Sequence, residues 1–285
     1  MKDREPPYQI IIVANLGLNY ARLVMEGFFE FSVQSSKWQV DQAISAFAEH
    51  WTMPKNMAQP GILGHFSRPE DVAIAEKLFK KGIPVVNTSQ KLSEYHIPSV
   101  IPDNAYAGKV AAEYLVERKF QHFGFTGIRD ACYSAQRGKG FQDRLKELGH
   151  SCSELEYGYH NWTHSSVEHN PDLEKWLKEL PHPVAVLCGD DIHARRVVNS
   201  ALRVGIRIPE EMAILGVDND DLQCKLCPIS ISSVTIPAKR VGYEATRLLE
   251  SMLKGTPPPD KPQIITASNV VTRRSTDCVA VDDPV

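Results

Sequence analysis

Short apolar runs alternate with longer stretches of helical periodicity along most of this chain, and that alternation limits its fold more than any other feature. Gln9–Ala14 reads QIIIVA, a continuous apolar run too short for a helix of its own and typical of a strand buried on both faces. Tyr20–Phe31 then spaces Leu23, Val24, Gly27, Phe28 and Phe31 along one helical face. Further strands are predicted at Gln39–Ile44, Gly61–Phe66, Ile83–Asn87 and Ser99–Ile101, with a helix over Glu70–Lys80. The pattern then restarts. A helix over Asn104–Lys119, with Asp103 as its N-cap, precedes a strand at His122–Thr126, a helix at Gly138–Leu148 and a strand at Cys152–Tyr157. A helix at Pro171–Leu180, a strand at Val184–Cys188, a helix at Ile192–Val204 and a strand at Met212–Val217 follow. A late helix over Pro237–Lys254 leads through the stiff connector Thr256–Pro262 to strand pieces at Ile264–Ala267 and Val270–Arg273. Such alternation predicts parallel sheets with helices on both faces, and two restarts of it predict two α/β lobes.

The 285 residues are enough for two ordinary lobes with their own cores. Lys and Arg total 32 against 35 for Asp and Glu, a net charge of −3, so the basic surplus of a domain that grips nucleic acid through phosphates is missing. The first residues, MKDREPPYQ, carry no apolar segment of a secretory signal, and no run approaches a membrane span. The six cysteines, at 132, 152, 188, 224, 227 and 278, are then read as reduced thiols of a cytoplasmic protein. Cys224 and Cys227 have C-x-x-C spacing, but no second pair follows and Pro228 comes next, so the expectation is a loop with no metal.

Two strand ends are acidic: Gly189-Asp190-Asp191 and Val217-Asp218-Asn219-Asp220-Asp221. Ligands of open parallel sheets bind beyond the carboxyl ends of the strands, and carboxylates there suit a polyol better than an anion. The competing expectation is that Asp190 and Asp191 cap the next helix and that residues 218–221 form a turn. Ser134–Phe141 reads SAQRGKGF, placed where a phosphate loop would lie but without either nucleotide fingerprint. Arg137 within it could reach a crevice from a helix start, although a surface Arg is the commoner case. Trp162 sits in a polar stretch, where it could stack on a sugar face or cover a core edge. No H-E-x-x-H, no G-x-S-x-G and no nucleophile–base pair occurs, so neither catalysis nor a cofactor is expected.

Val100–Leu115, VIPDNAYAGKVAAEYL, resembles the D-N-x-x-A-G-x-x-A-A-x-x-L signature of the lac repressor and ribose-binding protein superfamily. Arg137–Phe141, Gly189–Asp191, Ile208–Asp218 and Ser233–Pro237 are similar to later motifs of that superfamily, in its order. Tyr20–Gly27, the Trp162 segment and Arg273–Asp277 further resemble the xylose operon regulators, a family with the sugar domain first and an arabinose-regulator-type helix-turn-helix domain after it. Lys119 stands where the superfamily often has Gly. The resemblance implies a type I periplasmic-binding-protein fold whose two doubly wound lobes are joined by three hinge crossings. Their expected extents are 8–119 plus 238–260, and 120–237 plus 261–277, with a tail at 278–285 leading to a DNA-binding domain outside these residues. It also implies a homodimer that senses xylose or a related pentose in the interlobe cleft and meets operator DNA only through that further domain. Arg137, Asp190, Asp218, Asn219 and Trp162 are the expected sugar contacts of the second lobe. Tyr20, Arg22 and Ser89 are those of the first lobe, and Asp103 lies by the hinge. A sugar receptor of a transport system is the alternative reading.

Overall fold

A computed structural model describes residues 8–33, 38–44, 60–92, 94–157 and 170–280. In chain order its elements are β1 (Tyr8–Ala14), α1 (Asn19–Ser32), β2 (Trp38–Ile44), β3 (Pro60–Gly64), α2 (Pro69–Lys80), β4 (Val85–Asn87) and β5 (Val100–Pro102). There follow α3 (Asn104–Glu117), β6 (His122–Ile128), α4 (Cys132–Glu147), β7 (Cys152–Tyr157), α5 (Pro171–Glu179), β8 (Val184–Cys188) and α6 (Asp191–Arg203). The remainder is β9 (Met212–Val217), α7 (Asp221–Lys225), β10 (Ser232–Val234), α8 (Ala238–Leu253), β11 (Gln263–Ile265) and β12 (Val270–Val271).

The chain divides into two units, residues 1–102 with 237–265 and residues 103–236 with 266–285, and so passes between them three times. In the first unit, β2-β1-β3-β4 form a parallel sheet, and β5 pairs with β11 in parallel. The unbroken apolar run of β1 is explained by burial on both sides. Ile10, Ile12 and Ala14 pack with Val24 and Phe28 of α1 and Val241 and Leu249 of α8, while Ile11 and Val13 pack with Ile62, Phe66, Val72 and Ala75. Each such large side chain contributes on the order of 1.5–3 kcal/mol of transfer free energy. Helices α1 and α8 cross at backbone distance: a Cβ on Gly27 would strike the Lys239 carbonyl, and one on Gly242 the Val24 carbonyl.

The second unit holds a six-stranded sheet of order β12-β10-β9-β8-β6-β7, parallel except at the antiparallel edge strand β12. Val184, Val186 and Ile214 of the sheet pack with Val197 and Val198 of α6 and Leu173 and Leu177 of α5. Cys224 and Cys227 are buried in the same core, as apolar filling rather than as a surface loop, and Cys224 lies in the short helix α7. All six cysteines are unpaired.

Three expectations are revised here. Helix α3 belongs to the second unit, not to the end of the first. It packs on α4 so closely that a Cβ on Gly108 would meet the Arg137 carbonyl, and one on Gly140 the Ala105 carbonyl. Residues 261–265 likewise belong to the first unit, through the pairing of β11 with β5. Helix α4 begins at Cys132 rather than Gly138, so Ser134–Phe141 is helix, not loop. Gly138 and Gly140 lower helix propensity by about 1 kcal/mol each relative to Ala. They are accommodated because the packing at Phe125 and Ala105 leaves no room for a side chain.

Each main sheet contains a point where successive connections run in opposite directions. β1 leads outward to β2 on one side and has β3 on the other, and β6 leads to β7 with β8 on its other side. The crevice at the carboxyl ends of such a pair is the usual ligand position in open parallel sheets.

Candidate functional site

At the switch between β6 and β8, Arg137 of α4 is almost entirely buried, at 3% exposure. Its guanidinium is held on three sides by groups of the same unit. Nε donates to Asn104 Oδ1 at 2.8 Å, one terminal nitrogen donates to the Gly189 carbonyl at 2.7 Å, and the other donates to Asp218 Oδ1 at 2.7 Å. A guanidinium offers five N–H donors in a planar fork, and here the fork is oriented by helix α3, the end of β8 and the end of β9 together. Burial opposes its charge, but the Asp218 carboxylate more than compensates and holds Arg137 above its ordinary value.

Asp218 follows the last residue of β9 with φ 102°, and Asn219 has φ 47°, a left-handed turn that few side-chain-bearing residues adopt. The Asp218 side chain keeps 22% of its surface open. Burial pushes its carboxyl up from the usual range, and Arg137 pulls it back. Asp190 caps α6, accepting from the His193 amide, while its second oxygen accepts from the Tyr133 hydroxyl at 3.2 Å. Tyr133 in turn lies under the Arg137 guanidinium, 4.9 Å from its carbon to the ring centroid, a cation–π contact. Burial first, then the nearby Asp190 charge, raises the Tyr133 hydroxyl well above its ordinary value, so it stays a donor at neutral pH. The cluster therefore joins a fixed cation, two carboxylates, a phenol and an aromatic face.

The expected residues separate into those that this cluster joins and those that it does not. Arg137, Asp190 and Asp218 come together. Asn219 is adjacent, but its side-chain carbonyl accepts from Arg273 at 2.8 Å. Asp103 caps α3 by accepting from the Tyr106 amide and also accepts from Thr266 Oγ1. The capping expectation holds for Asp190, the N-cap of α6, and fails for Asp191, which is buried in the first turn of α6 and bonds to Ser233 and the Asp220 amide. The expected turn is present at Asp218–Asn219, after which Asp220 caps α7. Trp162 lies outside the described residues.

In the first unit, Tyr20 lies on α1, which follows β1, and Ser89 follows β4, the strand beyond β3. The Tyr20 hydroxyl donates to the Thr88 carbonyl at 2.9 Å, and Ser89 is buried, its backbone held by the Asn87 side chain. Arg22 is exposed and folds back onto the Leu16 carbonyl at 2.7 Å. Two residues escape the sequence reading. His65, immediately after β3, meets Tyr20 in a tilted ring contact with centroids 5.3 Å apart, and burial followed by the Lys91 charge lowers it to about 4. Tyr133 is the other, lying four residues before Arg137 and hence on the same face of α4.

Among the described residues no helix is long and apolar enough to cross a membrane, and no three His, Cys, Asp or Glu side chains group as metal ligands. Parallel α/β units with polar clusters at their switch points define a broad class of ligand-binding proteins, and the sequence narrows it. The chain belongs to the periplasmic binding protein-like domain family, whose profile matches residues 112–276. Over nearly its whole length it is similar to the xylose operon regulatory protein of Haemophilus influenzae, 28% identical over 286 residues, covering 99% of this chain and 73% of that protein. In fold it is similar to a xylose-binding transcription activator, with TM-score 0.81 and 23% identity, over 100% of this chain and 73% of that one. It is also similar in fold to a LacI family transcriptional regulator from Enterococcus faecium solved with bound ribose, with TM-score 0.74 and 18% identity, over 96% of this chain and 100% of that one.

Proposed function

We propose that this chain is the sugar-sensing effector domain of a transcriptional regulator and that its ligand is xylose or a related pentose. The observation that carries the reading is the Arg137–Asp218–Asp190–Tyr133 cluster at the strand-end switch of the second unit. Neutral polyols need acceptors and donors that converge on adjacent hydroxyls, with an apolar surface beside them. Here two carboxylates accept, Arg137 donates in a plane, and the Tyr133 ring supplies the apolar edge. A sugar hydroxyl can donate to Asp190 or Asp218 while accepting one of the two Arg137 N–H groups that Asn104, Gly189 and Asp218 do not take. A phosphate would meet two carboxylates and only one cation, so phosphorylated sugars fit poorly. The xylose assignment itself rests on similarity to the named xylose regulators.

Asn219, Asp103 and Trp162, and in the first unit Tyr20, Arg22 and Ser89, stay sugar contacts by resemblance alone. Operator DNA, in this reading, is met by a further helix-turn-helix domain, the regulator works as a homodimer in the cytoplasm, and the chain performs no catalysis. A transport receptor is the less favoured reading, because relatives that span the chain are named as regulators.

The test is a thermal-shift series over pentoses, hexoses and sugar phosphates. Xylose or a close pentose should stabilise the chain, by about 2.7 kcal/mol at roughly 100 times its dissociation constant. Stabilisation by phosphorylated sugars alone would overturn the carboxylate reading.

A further inference from the structure

We infer that Ser233, Asp191 and Arg273 form a positioning network that holds the left-handed turn at Asp218–Asn219 and thereby sets how Asp218 meets Arg137; the inference rests on the sugar site proposed above. The turn places two consecutive side-chain-bearing residues at positive φ, 102° and 47°, a geometry that persists only where its surroundings over-determine it. Three successive amides of the turn are each bonded. Asp218 N donates to the Val234 carbonyl at 2.9 Å, Asn219 N to Ser233 Oγ at 2.9 Å and Asp220 N to Asp191 Oδ2 at 2.6 Å.

Ser233 links the last two of these acceptors, since its hydroxyl donates to Asp191 Oδ1 at 2.6 Å. Arg273 holds the turn from the other side. One terminal nitrogen donates to Asn219 Oδ1 at 2.8 Å and the other to the Ile231 carbonyl at 2.9 Å. A Lys could not span both acceptors, because its ammonium is a single point on a flexible stem.

Ser233 is fully buried and Asp191 is 1% exposed. A carboxylate so placed costs free energy unless its oxygens are satisfied, and both of them bond to groups that fix the turn. Gly216 pairs with Ser233 across β9 and β10, and a Cβ there would collide with the Asp191 carboxylate. The strand thus leaves a place for that carboxylate. In this arrangement Asp191, Ser233 and Arg273 act on the sugar only through Asp218 and Asn219.

The test is Ser233→Ala in the full 285-residue chain, which deletes one oxygen, read in three ways. Amide hydrogen exchange at Asn219 and Asp220 should rise by about tenfold or more while the amides of β8 keep their protection. The Asp218 carboxyl, followed by carbon-13 NMR, should titrate at higher pH. Arg137 is the cation that offsets its burial, while Tyr133 of α4, Asp190 at the N-cap of α6, Asp191 of α6 and Asp220 of the turn give it no positive charge. Xylose affinity by calorimetry should fall by about tenfold or more. Unchanged exchange and an unchanged Asp218 titration would overturn the network, whatever the sugar does. A wild-type chain that binds no pentose, with the exchange and titration shifts present, would remove the sugar reading and leave the network supported. Arg273→Lys, at a half-buried position, gives the same readouts if Ser233→Ala fails to fold.

Discussion

Arg137 and Asp218, 81 residues apart, meet at 2.7 Å with the Arg137 side chain 4% exposed and the Asp218 side chain 22% exposed. The residue proposed to grip a sugar is therefore also a structural cation, bonded to Asn104 and to the Gly189 carbonyl as well. Its removal tests stability and binding together. Arg137→Ala should cost about 3 kcal/mol in urea unfolding, because it leaves a largely buried carboxylate without its partner. The double variant Arg137→Met/Asp218→Asn, which removes both charges and keeps a residue tolerant of the left-handed turn, should recover part of that loss while still failing to bind xylose. Equal destabilisation in both variants would mean that the pairing with Asp218 is not the source of the cost.

Acid should act on the fold through two histidines, His193, which is fully buried, and His65, which is half-buried. Burial, aided by the Arg196 charge, lowers His193 from 6.5 to about 3, and burial with Lys91 lowers His65 to about 4. Below pH 6.5 the unfolded chain takes up protons that the folded chain refuses, so stability falls as pH falls, by up to about 1.4 kcal/mol per pH unit for each histidine. Asp191 and Asp218, both raised chiefly by burial, give the opposite slope. The informative quantity is accordingly the difference between wild type and His193→Gln. The variant should start less stable at pH 7, having lost the 3.1 Å bond to Thr126, and should show the shallower decline between pH 6.5 and 4. Parallel stability curves would contradict a neutral buried His193.

The crossing of α3 and α4 supplies a third expectation. Gly140→Ala gains up to about 1 kcal/mol of helix propensity, but its new methyl meets the Ala105 carbonyl, which is backbone and cannot turn aside. Overpacking of this kind costs about 1–3 kcal/mol, so the net effect should be a lower urea midpoint. Arg137 lies one turn away on the same helix, so xylose affinity should fall as well. A stabilised variant with native affinity would show that the helices can part freely.

Electrostatics gives a fourth. With a net charge of −3, these 285 residues should retain operator DNA only weakly, and less as salt rises. The adjacent arginines Arg195-Arg196 and Arg273-Arg274 offer little help: Arg273 is committed to Ile231 and Asn219, and Arg195 and Arg196 are half-buried. Tight, sequence-selective retention in a mobility-shift titration at physiological salt would place a DNA-reading surface on the chain itself.

What could be read from the residues alone follows physical lines. β1, β8 and β9 were legible because burial on both faces writes an unbroken apolar run, and Asp190 and Asp218 because parallel sheets present strand ends to ligands. The start of α4 was not legible, since Gly138 and Gly140 look like loop residues until α3 and Phe125 are seen to occupy the space of their side chains. That error hid Tyr133, whose four-residue spacing from Arg137 has meaning only on a helix. His65 is marked only by lying at the switch between β1 and β3, and sheet order is a long-range property. Asp191 and Ser233 are 42 residues apart, so their pairing has no local signal. Arg22 shows the converse: its position after a strand is legible, whereas its return to the Leu16 carbonyl depends on the loop's conformation.

The discontinuous make-up of the two units has a consequence for biosynthesis. The first unit needs α8, whose Val241, Ala245 and Leu249 complete the core around β1, and it needs β11 to pair with β5. Both lie beyond residue 236, so a ribosome that has already synthesised β1 to β5 has not yet supplied what closes them. By the same residue, five of the six strands of the second unit's sheet exist in full. The unit that begins later in the chain is thus the first able to assemble most of its sheet. Until α8 emerges, Ile10, Ile12 and Phe28 lack the α8 side of their core, which leaves apolar surface exposed on the nascent chain during this interval.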